Sequence, residues 1–206
     1  MLGSKMARFH TSRTFDLLFV LTLAVVIGGA ALNRTTITDS LFFWQYTPDA
    51  KTTLIATDAG LSDTGRHLLY RTNPKFDTKT AVDAHCDTER LGCLTRQGQA
   101  FIYDDSTRPQ QTIVTATHEM LHLAYRRLPQ SQKDTLAPLL NQAVEQNAIL
   151  GTEAELDDQP SPEDRLDEAH ALLGTEYQHL PPALEDYYRT YFTDRSKVVQ
   201  ANQGNH

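Results

Sequence analysis

The chain has 206 residues, 40 % of them hydrophobic and 22 % charged, with 19 basic against 26 acidic side chains and a net charge of −7. That length supports one core of roughly 100 to 170 residues plus an appendage. Lys5, Arg8, Arg13 and Arg34 are set apart at the start, which leaves 15 basic and 25 acidic residues in 35–206, a net of −10 that excludes nucleic acid as a partner and gives no general pull toward anionic lipid.

Residues 17–32 form a run of sixteen without charge, in which Thr22 is the sole hydroxyl. With Phe15 and its flanks this predicts a transmembrane signal-anchor over 15–33, after a basic cytoplasmic stretch 1–14. The basic residues precede the run, so the positive-inside tendency carries everything after it across the membrane. The expected location is a single-pass cell-membrane protein with its main domain outside the cytoplasm. Secretion after cleavage near the small residues Gly29 and Ala31 is the alternative. Residues 34–49 are expected as a linker. Its Leu41, Phe42, Phe43, Trp44 and Tyr46 suit either packing on the domain or a place at the lipid interface.

A domain over 50–195 follows, with 196–206 as a frayed tail. A first core helix is expected from Asp58, with Leu61, Gly65, Leu68, Leu69 and Tyr70 on one face and Asn73-Pro74 as its stop. Residues 79–85 and 93–103 read as extended, with Gly92 and Gly98 at turns, and together predict a small sheet. Cys86 and Cys93 have six residues between them. In an exported domain that pair predicts a disulfide rather than a metal knuckle with His85.

Residues 110–127 give the clearest helix: Ile113, Thr117, Leu121, Ala124 and Leu128 recur at helical spacing, and Pro129 ends it. Another is expected from Ser131 to about Leu150, with Pro138 as a restart or kink. An acidic surface loop over 153–164 then leads to helical stretches 165–173 and 183–194, broken near Gly174 and Pro181-Pro182. The fold class that results is α+β.

The chemistry lies in the middle of the clearest helix. His118-Glu119-Met120-Leu121-His122 is an H-E-x-x-H sequence. Histidines at i and i+4 project from one helical face, close enough to share a tetrahedral Zn²⁺. Glu119 beside the first histidine then stands where it can act as general base toward a water that the metal has made acidic. Two histidines and a carboxylate inside an apolar helix are costly to bury without a metal or partners. A catalytic zinc needs a third protein ligand. The candidates are Glu168, Glu176, His170 and His179. Glu168 is the first choice, because Ala171 one turn later lets its helix approach closely; Glu176 and His170 are the alternatives.

H-E-x-x-H followed some 46 residues later by a glutamate on another helix resembles the gluzincin branch of the zinc metallopeptidases. Leu128 stands where the metzincins have a histidine, and the N-E-x-x-S-D pattern of thermolysin-like enzymes is lacking. The resemblance implies a small zincin-like domain with an active-site helix, a short sheet and a second ligand-bearing helix. It implies zinc held by His118, His122 and Glu168, with Glu119 as catalytic base in the hydrolysis of a peptide or protein substrate. An edge strand within 97–104 would hold that substrate by backbone pairing. Tyr177, Tyr187, Tyr188 and His179 are available to stabilise an oxyanion but read as packing or surface residues. Two alternatives stay open: a silent zincin-like binding or scaffold protein, and a zinc hydrolase of a non-protein amide such as that of cell-wall peptide.

Overall fold

Three of the helices are set by side-chain caps. Asp49 accepts the backbone N–H of Thr52 (2.6 Å), Ser62 that of Gly65 (3.1 Å) and Ser161 that of Asp164 (3.1 Å), each satisfying a donor that the opening turn of a helix leaves orphaned. The computed structural model describes residues 34–87, 90–146 and 156–204. Helix α1 spans Arg34–Gln45; α2, Ala50–Asp58; α3, Asp63–Arg71; strand β1, Lys75–Asp77; α4, Lys79–Asp83; β2, Gly92–Leu94; β3, Ala100–Tyr103; α5, Pro109–Arg127; α6, Gln130–Gln146; α7, Pro162–Thr175; α8, Pro182–Tyr188; α9, Ser196–Gln203. The chain divides into a unit ending at Thr47, which holds α1, and a unit from Pro48 onward, which holds the rest. The expected linker 34–49 is therefore mostly helix. The expected anchor 15–33 and basic stretch 1–14 lie outside the described residues, and among the described residues no helix is long and apolar enough to cross a membrane.

The second unit is α+β, as its patterning predicts. Its sheet has the order β1-β3-β2, with β1 parallel and β2 antiparallel to β3. Helix α5 is the central element, packed against β2, β3, α2, α3, α7 and α9. Ala116, Met120 and Leu121 are wholly buried on it, beside Ile102 of β3 and Leu173 of α7. Such an all-round burial follows from its apolar composition and needs every neighbour that surrounds it.

Several boundaries differ from the sequence reading. The helix expected from Asp58 is α3 and starts later, at Asp63, because Gly60 adopts φ +68° and Ser62 caps afresh; α2, which ends at Asp58, was not expected. Residues 79–83 are helix, not strand: Thr78 Oγ1 caps Ala81, and Lys79 pairs with Asp83 one turn on. Helix α6 starts at Gln130, its first turn bonded to the Pro129 carbonyl, and runs through Pro138 without ending. Helix α7 begins at Pro162, inside the expected loop. The tail is ordered as α9, since Val198 and Val199 are buried and Asp194 accepts from the backbone and hydroxyl of Ser196. As predicted, Cys86 and Cys93 form a disulfide.

A clasp joins distant parts of this unit. Gly60 O accepts the backbone N–H of Thr193 (2.8 Å) and of Asp194 (3.1 Å), Ser62 N donates to Tyr191 O (2.9 Å), and Ser62 Oγ donates to Thr190 O (2.6 Å). Arg195, buried beside it, donates to the carbonyls of Leu173 (3.2 Å), Tyr177 (2.6 Å) and Gln178 (3.4 Å) and pairs with Glu185. These bonds satisfy carbonyls at the C-terminal end of α7 that the helix itself leaves open.

Candidate metal centre

Helix α5 holds His118 and His122 four residues apart, which turns both rings to the same side. Their Nε2 atoms lie 3.1 Å from one another. Helix α7 brings up Glu168, one carboxylate oxygen 3.2 Å from His118 Nε2 and the other 3.6 Å from His122 Nε2. Donors about 2.05 Å from a common tetrahedral centre would stand about 3.3 Å apart. The His118–His122 separation lies near that value, while the two Glu168 distances end on different oxygens of its carboxylate. Together His118, His122 and Glu168 form a group that could hold a metal ion, their ligand atoms all within 4.8 Å of one another.

Close approach of the two helices depends on small residues. Ala171 is wholly buried. At Gly174, an added Cβ would stand 2.3 Å from Leu121 Cδ1 and 3.0 Å from Tyr188 Cε1. Leu121 belongs to the motif itself, so the glycine sets how near α7 lies to the two histidines.

A hydrogen-bonded chain orients His122. Its Nδ1 is 2.8 Å from Asp167 Oδ1. A carboxylate accepts there, so Nδ1 carries the proton and the lone pair of Nε2 faces Glu168, the tautomer a metal ligand requires. Arg126 Nε donates to the other oxygen of Asp167 (3.2 Å), and Arg126 Nη1 to the carbonyls of Leu94 and Thr95 (3.3 Å each). The carboxylate is thereby tied to the end of β2. Burial alone would raise the Asp167 pKa, but the His122 hydrogen bond and the charges of His122 and Arg126 hold it below the usual carboxylate value.

Similar opposition governs the ligands. Burial works to lower the pKa of His118, yet its hydrogen bond to Glu168 and the charges of Glu168, Glu119 and Glu176 outweigh it and raise the value to about 9. Burial works to raise that of Glu168, and His118, His122 and Arg90 bring it down to about 2. With no cation present, the carboxylate thus holds a proton on the neighbouring imidazole. The same excess of negative charge favours a divalent cation in the proton's place.

The group opens into a cleft of about 680 Å³. His118, Glu119, Glu168 and Glu176 line it, facing Arg90 and Leu91 of the disulfide-closed loop. Glu119 is buried, is among the residues that line this cleft, and its charge acts on His118. Of the other candidates, Glu176 lines the cleft without joining the three-residue group, and His179 is exposed outside it. His170 lies wholly buried elsewhere, ringed by Tyr125, Tyr187, Tyr188 and Tyr191, with Nε2 2.9 Å from Tyr187 Oη. Burial pushes its pKa down to about 3, so it stays neutral as a packing residue. Tyr188 Oη donates to the His170 carbonyl (2.7 Å), and the Tyr177 carbonyl accepts from Arg195; both tyrosines are buried.

The peptide-pairing edge expected within 97–104 is corrected: β3 is the middle strand, its two sides taken by β1 and β2. The outer strand beside the cleft is β2, where Gly92 lines the wall. Asp167 and Arg126 were not among the expected residues. Their signals were the acidic neighbour of Glu168 and a cation one turn beyond His122 on the same helix. Comparison with known protein families, characterised proteins and solved structures finds no match to this chain.

Proposed function

We propose that this chain is a membrane-anchored zinc peptidase, in which His118, His122 and Glu168 hold the metal and Glu119 is the general base. The observation that carries the reading is the convergence of His118, His122 and Glu168 with ligand atoms within 4.8 Å of one another, His122 being held by Asp167 in the tautomer that leaves Nε2 free. Two imidazoles and a carboxylate are a donor set suited to Zn²⁺ with one position left for water. Bound there, zinc would supply a Lewis-acid charge that makes a water deprotonable near neutral pH. Glu119, buried and lining the cleft, is the residue that would hold that proton and pass it to the leaving amine. Asp167 and Arg126 keep the His122 ring from turning. An extended peptide would meet β2, the outer strand whose Gly92 lines the cleft. The anchor is the uncharged run 17–32, which holds the domain outside the cytoplasmic membrane.

Metal content of purified residues 35–206 tests the site. Wild type should carry about one zinc per chain. His122→Ala and Glu168→Ala should lose it, while Glu176→Ala and His170→Ala retain it. Glu119→Gln should keep the metal and lose hydrolysis of a mixed peptide pool. A folded wild-type domain without metal, purified in the absence of chelator, would sink the proposal.

A further inference from the structure

Ile37, Leu41 and Trp44 lie at i, i+4 and i+7 on α1, a spacing that sets them in one stripe. All three are exposed, to 45 %, 61 % and 82 %. Trp44 and Leu41 are large side chains that a water-facing helix does not ordinarily present together. On the other side of the helix Asp39 is buried, and Phe42 stacks on Tyr46 with ring centroids 4.7 Å apart. The neighbours exposed with the stripe are Thr36, Thr38, Ser40 and Gln45, none of them charged.

We infer that α1 lies along the surface of the lipid bilayer, with Ile37, Leu41 and Trp44 inserted at the boundary between headgroups and acyl chains. The inference rests on the anchored reading above. Its occupant is argued from the chain itself: the uncharged run ends at Leu32, and α1 begins two residues later at Arg34. A helix so close to the end of a bilayer segment sits at headgroup depth. Tryptophan and tyrosine favour that depth, because an aromatic body enters the hydrocarbon edge while the N–H or O–H stays hydrated. An apolar face of this kind sinks roughly 5–10 Å into the boundary. After Arg34 at its first position, the helix and its flank as far as Thr47 carry one charge, the buried Asp39, and none on the exposed stripe. Contact therefore does not depend on anionic headgroups, and neutral phosphatidylcholine suffices.

Trp44 is the only tryptophan in the protein, so its fluorescence reports on this helix alone. The full chain is reconstituted in phosphatidylcholine vesicles, flotation is checked, and Trp44 emission is recorded with brominated lipids and with aqueous iodide. The expected result is blue-shifted emission, stronger quenching by bromines near the headgroup end of the acyl chain than by those near the bilayer centre, and little quenching by iodide. In Ile37→Ser/Leu41→Ser the emission should move to the red and iodide should regain access. Full iodide quenching of Trp44 on a chain that floats would overturn the inference and leave the anchor standing. Shielding from iodide without any bromine quenching would assign the stripe to a second protein copy and overturn it equally. Failure to float would remove both the anchor and the inference.

Discussion

Replacing Gly174 by alanine adds one methyl group between the two helices that carry the proposed ligands. The new Cβ would stand 2.3 Å from Leu121 Cδ1 and 3.0 Å from Tyr188 Cε1, against an ordinary carbon contact of about 3.5–4.0 Å. Both neighbours are wholly buried, so neither moves into solvent. Relief needs a shift of about 1 Å or more, made by turning Leu121 off its rotamer or by moving α7 outward; such overpacking costs about 1–3 kcal/mol. Alanine this close to the C-terminal end of α7 returns at most about 1 kcal/mol through its better propensity. The net loss is then about 0–2 kcal/mol, a fall of at most several degrees in Tm for a domain of this size. Outward movement of α7 also carries Glu168 away from His118 and His122, now 3.2 Å and 3.6 Å distant, so zinc affinity should fall even where stability changes little. The assay is urea unfolding in chelator for Gly174→Ala, Leu121→Ala and the double variant, with zinc competition on each folded protein. Because the clash is with Leu121, the double variant should be more stable than the sum of the singles, by about 0.5 kcal/mol or more. Additive singles, or a stabilised Gly174→Ala with unchanged zinc affinity, would refute the claim that this contact sets the helix separation.

Asp167→Asn should lower zinc affinity about 10- to 100-fold, because an amide no longer holds His122 and Arg126 by charge; a competition titration that matches wild type would remove Asp167 from the site. The disulfide closes an eight-residue loop, for which the loop-entropy relation gives about 2.5 kcal/mol, so Cys86→Ser/Cys93→Ser should unfold at correspondingly lower urea, as followed by circular dichroism. Asp105 is held at about 2 by the Thr107 hydroxyl, the Arg108 guanidinium and the Thr107 amide. Its folded pKa lies below the ordinary 3.8, so its stabilisation is fully present above 3.8 and disappears as pH falls toward 2. Acid unfolding curves of wild type and Asp105→Asn should therefore converge over that interval, and a gap that stays constant across it would contradict the assignment.

The motif helix was legible because nineteen residues of helical periodicity end at a proline, a signal long enough to survive local noise. Glu168 was legible through the demand of zinc for a third ligand and the small residue one turn on. His170, equally near in sequence, is diverted because α7 turns it away among four tyrosines, a choice of helix face that spacing alone does not make. Short elements escaped for a related reason. The five residues of α4 are too few for any period to show, and the Thr78 cap decides them. In α9 the adjacent Val198 and Val199 mimic no helical stripe, and the element is ordered by what it packs against. Arg195 reads as a surface cation, yet its guanidinium is consumed by backbone carbonyls at the end of α7, a role visible only when the chain has closed on itself.

The clasp between Gly60–Ser62 and Thr190–Asp194 also governs when the domain comes into being. Gly60 and Thr193, for example, are separated by 133 positions, so nearly the whole second unit must be synthesised before the partners meet. Until then Gly60 and Ser62 have no Thr190–Asp194 segment to bond, and α7 lacks the arginine that satisfies its last carbonyls. A growing polypeptide can wind the histidine helix early, but the glutamate arrives in its final place only near the end of translation. A metal site formed by these three residues would accordingly be completed late, and a chain broken off before Thr190 would lack the segment that closes the clasp.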